Sequence, residues 1–160
     1  MCSSDLVDYH SARDASDNQL LALSSFGPVY AHRSRNQQHD PSSDKAIPDR
    51  TMNNPALQSL MSSKYHVKWS GRSTVGTAKV EAIAAGCLCL TNQSTDGTPF
   101  LHSSLTHVSS FEDLVKKLAA LESRCDLYDR ELIRQRSMVD FLCCYRPAND
   151  LLDACENILS

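Results

Sequence analysis

Residues 65–91, YHVKWSGRSTVGTAKVEAIAAGCLCLT, admit few folds. Residues 65–70 have the aromatic and β-branched composition of a strand, and Gly71-Arg72-Ser73-Thr74-Val75-Gly76 after them that of a turn. At 77–85 nearly every residue is a good helix former, and Gly86 stands where a left-handed residue ends a helix. Cys87-Leu88-Cys89-Leu90 is short, apolar and suited to a buried strand. Together these predict a βαβ unit. Parallel strands cannot be joined by a hairpin, so a helix crosses over between them, nearly always right-handed.

A turn that leaves the carboxyl end of a parallel strand and opens a helix is where open α/β sheets take ligands. The N–H groups around Gly76 and Thr77 would lack acceptors, with the positive end of the helix dipole behind them. Arg72, Ser73, Thr74 and Thr77 add a cation and hydroxyls, and Gly71 and Gly76 allow close backbone approach. A phosphate or diphosphate is the guest this chemistry favours.

The run Val80-Glu81-Ala82-Ile83-Ala84-Ala85-Gly86-Cys87-Leu88 resembles the EA-small-A-x-G helix of GT-B glycosyltransferases (group 1-like), in their C-terminal nucleotide-sugar-binding domain. In that family the glutamate hydrogen-bonds the ribose of the donor, and amides of the preceding turn hold its diphosphate. The resemblance therefore implies Glu81 on the ribose and Arg72, Ser73, Thr74, Gly76 and Thr77 around the phosphates. Residues 62–65 and the segment at 110–121 also resemble that domain, so the likeness spans 55–160. Two features depart from it. Ser73 stands where retaining members carry the first glutamate of a Glu-x7-Glu pair, and the upstream basic pair that holds the donor phosphates has no clear counterpart. No catalytic residue is assigned.

At 160 residues the chain has room for one such domain, whereas a GT-B enzyme places its active site between two. The expectation is a fragment, a reduced relative, or a chain whose acceptor half comes from a partner. A formal charge of −3, with no basic stripe, argues against nucleic acid as a partner. No apolar run reaches membrane-spanning length, and the acidic start MCSSDLVDYHSARD lacks the features of a leader, so a cytoplasmic location is expected. The seven cysteines show no Cys-x-x-Cys pair and no matching His pair, which points to buried free thiols, with neither a metal nor another cofactor.

Residues 1–54 read as a weakly specified N-terminal extension. Residues 14–26 suggest a short helix capped by Ser16 or Asp17, 29–32 a strand, and 33–54 a long polar loop. Asn54-Pro55 suits the start of a helix carrying Leu57, Leu60 and Met61. Lys68 reads as a solvated lysine near a strand end. Asn92 and Thr95, in the loop after the second strand, are minor donor-site candidates. Phe100, Leu101 and residues 105–108 suggest a short strand, and Ser109-Ser110-Phe111-Glu112 a capping box with Ser109 as cap. Helices at 111–121 and 125–145 follow, and Arg146-Pro147 separates them from a last one bearing Leu151, Leu152, Cys155, Ile158 and Leu159. An unpaired apolar face there would predict a partner domain or homo-oligomerisation.

The expected fold is thus α/β: a small parallel Rossmann-like sheet covered by helices, with a helical C-terminus. The expected function is transfer of a sugar from a nucleotide-diphosphate donor, or the donor-binding half of that activity. The alternative is a non-catalytic nucleotide- or phosphate-binding or interaction module.

Overall fold

The computed structural model describes residues 6–11, 16–33, 55–69, 77–92 and 98–145. In chain order the elements are β1 (Leu6–Ser11), α1 (Asp17–Leu23), β2 (Val29–Arg33), α2 (Pro55–Ser62), β3 (Ser63–Trp69), α3 (Thr77–Ala85), β4 (Leu88–Asn92), β5 (His107–Val108), α4 (Phe111–Ser123) and α5 (Cys125–Asp140). The strands form one sheet in the order β2-β1-β3-β4-β5, and every neighbouring pair is parallel. This is the expected Rossmann-like α/β arrangement. Of the loop expected at 33–54, Arg33 instead ends β2; the rest of it, the Asn54 cap, the turn at 71–76 and the last helix lie outside the described residues.

The N-terminal segment is no extension to this sheet. It supplies β1 and β2, and β1 is an interior strand, paired on one side with β2 and on the other with β3. A boundary at 54/55 would cut through the sheet. The sequence LVDYHS carries little intrinsic strand signal; its state is decided by neighbours distant in the chain, as β propensity generally is.

One transverse row of the sheet, Val29–Val7–Tyr65–Leu88, shows how the core is built. With Val67 and Leu90 these residues pack against Leu23 of α1 and against Leu114, Leu118 and Leu121 of α4. The last three recur at helical period and are fully buried, each contributing about 1.5–3 kcal/mol. Strand alternation sends His66 and Lys68 of β3, in register with Cys89 and Thr91 of β4, to the opposite face. There Cys89 packs with Ile83 of α3, while Ala82 and Cys87 pack with Leu60 of α2.

Helix α5 serves both faces. Leu127, Tyr128 and Leu132 join the α4 side, whereas Val139 and Leu142 join the α3 side, so the helix passes round the edge of the sheet. Its continuation, Phe141–Tyr145, is a π-helical turn.

Local signals explain most helix ends. Ser16 caps α1 in a reciprocal capping box with Gln19. Gly86, at φ +100, closes α3 in a Schellman motif: its N–H donates to Ile83 O at 3.1 Å, and that of Cys87 to Ala82 O at 2.9 Å. The cap of α4 is Ser110, one residue beyond the expected Ser109. Its hydroxyl accepts from Asp113 N at 3.1 Å, and the Asp113 carboxylate accepts from Ser109 N at 2.9 Å. The strand expected at 100–108 is shorter than its apolar content suggested. Pro99–Leu101 is a 3-10 turn, and only His107–Val108 pairs with β4.

Candidate functional site

Helix α3 begins at Thr77, after the carboxyl end of β3, as the βαβ pattern predicts. The strand order adds a second boundary to the site. From β1 the sheet is built outward to β2 on one side and to β3 on the other, and ligands of open parallel sheets lie outside the carboxyl ends of strands at such a reversal. The two strand ends there, Ser11 and Trp69, are register partners. Only the β3 side of this boundary was legible in the sequence, because β1 itself was not.

Of the sequence-predicted site residues, Arg72, Ser73, Thr74 and Gly76 lie outside the described residues, as does Thr95. Thr77 is the first residue of α3. Glu81 is exposed, one turn further along, while its neighbours Ala82 and Ile83 are completely buried. Asn92 ends β4 and is half-buried.

Two basic residues at this end of the sheet have positions that composition did not suggest. Lys68, expected in solvent, is only 5% exposed, and Lys79, in the first turn of α3, is 1% exposed. Each is engaged by other groups of the protein, as is the buried His66. The physical reason for Lys68 is that an interior strand of a doubly covered sheet has no solvent face, so the alternation that buries Tyr65 and Val67 on one side buries His66 and Lys68 on the other. For Lys79 the signal was its spacing, i−3 and i−4 from Ala82 and Ile83 on the same helix face. Beside Lys68, the Thr91 hydroxyl donates to its carbonyl at 3.3 Å, joining the ends of β3 and β4.

A second polar group lies where α5 crosses the sheet edge. The rings of His102 and His107 stack at 5.3 Å with 16° between their planes, and Gln135 Nε2 stands 3.5 Å from His102 Nδ1. Lys117 Nζ donates to the His107 carbonyl and bridges to Asp113 at 2.8 Å. Arg134 donates to Leu101 O at 2.8 Å and to the buried Glu131 at 3.0 Å, fixing the 3-10 turn against α5. These bonds are structural in kind. No group of three or more His, Cys, Asp or Glu side chains poised for a metal ion occurs among the described residues.

At the amino end of the sheet, an open groove of about 780 Å³ runs between residues 24–27 and the last turns of α4, at Ala119, Glu122 and Ser123. It lies away from α3. Glu122 there pairs with Lys64 at 2.8 Å, and the Lys64 ammonium sits 5.4 and 5.0 Å from the Tyr65 and Tyr128 ring centres. Tyr65 is fully buried, edge-on to Tyr128. Its hydroxyl makes no hydrogen bond of good geometry among the described residues; burial first, and then the nearby Glu122 carboxylate, push it far above the usual tyrosine range.

Cys87 and Cys89 are buried free thiols, as expected of the cysteines, whereas Cys125 and Cys143 are free but exposed. No described helix is long and apolar enough to cross a membrane. No family model, curated protein or solved structure matches this chain.

Proposed function

We propose that this domain binds a nucleotide-diphosphate sugar at the amino end of α3 and forms the donor half of a glycosyltransferase. The observation that carries the proposal is Glu81: a carboxylate left exposed one turn into the crossover helix while its neighbours Ala82 and Ile83 are buried. A carboxylate there is free to accept both hydroxyl protons of a ribose. The start of α3 beyond the carboxyl end of β3 supplies unpaired N–H groups for the diphosphate. Arg72, Ser73, Thr74, Gly76 and Thr77 complete the cradle in this reading. Hydrogen bonds to the diphosphate would then stabilise the charge that builds on the leaving group as the glycosidic bond breaks. Among the described residues Cys87, Cys89, Cys125 and Cys143 carry no disulfide, which suits a reducing, cytoplasmic setting as part of the same proposal.

The test has two stages. Thermal shift with nucleoside diphosphates and nucleotide sugars reports binding, and donor hydrolysis or transfer to a panel of acceptors reports chemistry. Stabilisation with turnover is the expected result. Stabilisation without turnover would leave a non-catalytic nucleotide-binding module, and no stabilisation by any nucleotide would overturn the proposal.

A further inference from the structure

We draw no further inference here: the strongest candidate, the exposed apolar side chains of Ile133, Met138 and Phe141 on the second half of α5 and its π-helical end, with Phe100 nearby, is an unpartnered surface, and nothing in the structure shows what covers it.

Discussion

The carboxamide of Gln135 holds both backbone polar groups of Cys89, accepting from its N–H at 2.9 Å and donating to its C=O at 2.8 Å. A carboxamide has the donor and acceptor pattern of a peptide group, and here it stands in for one. Strand β5 pairs with Thr91 and Asn92, so among the described residues the earlier part of β4 has no strand beside it on that side. Gln135, reaching from α5 where the helix rounds the sheet, fills the gap and covers what would be an open edge.

Replacing Gln135 with Leu, of similar size, removes both of these hydrogen bonds from the buried Cys89 backbone. The expected loss is about 2–6 kcal/mol of unfolding free energy, since each orphaned group costs about 1–3 kcal/mol. Urea denaturation measures it. A change below about 0.5 kcal/mol, the range of a neutral surface substitution, would show that the edge is held in some other way.

Gly86→Ala isolates a purely conformational cost. A Cβ at this position would meet no atom within 4 Å, but φ is +100. The expected destabilisation is about 1–2 kcal/mol, with Gly86→Asn losing less because asparagine tolerates the left-handed region better. Equal stabilities for the glycine and alanine proteins would refute the role of the Schellman closure.

The Asp113 carboxyl is held below the usual carboxylate range, first by the Lys117 ammonium and further by the N–H and hydroxyl of Ser109. An unfolded aspartate ionises near pH about 3.9. Because the folded value is lower, this group stabilises the fold above the unfolded value and ceases to do so as pH falls through the folded one. The stability gap between the parent and Asp113→Asn should therefore be wider at about pH 6 than at about pH 3, read from urea midpoints. A gap that does not change with pH would contradict the assignment.

Glu81→Ala is expected to weaken nucleotide-sugar binding by about 1–3 kcal/mol, the usual loss for a charged hydrogen-bond partner. Being exposed, the residue should matter little to the fold, with stability changed by no more than about 0.5 kcal/mol. Calorimetric titration of parent and variant decides the matter. Unaltered affinity would remove Glu81 from the site.

Removing residues 1–54 takes away β1 and β2 and leaves β3 with one bare side. The shortened chain is expected to aggregate or remain unfolded, as judged by circular dichroism and size-exclusion chromatography. A folded monomer from 55–160 would mean that the interior strand is dispensable.

What was legible in the sequence is what neighbouring residues decide. The span of α3, its Gly86 end, the Ser16 cap and the core stripe of α4 all follow from spacing and side-chain chemistry within a few residues. The cap of α4 falls one residue beyond the expected Ser109, on Ser110, whose hydroxyl is the one that reaches Asp113 N. Distant partners decided the rest. Leu6–Ser11 becomes a strand because two other strands flank it, and Lys68 is buried because helices cover both faces of its sheet. For the candidate site this means that Glu81 and the start of α3 could be placed from sequence, whereas the β1 boundary and the two buried lysines could not.

The interior position of β1 also has a consequence for synthesis. It emerges from the ribosome ahead of the other described strands and can pair with β2 almost at once, yet its second neighbour, β3, ends only at Trp69. At translation rates of about 5–20 residues per second the nascent chain waits on the order of seconds with that hydrogen-bonding edge open. Chaperone capture or a slow codon run between the two segments would act during this interval.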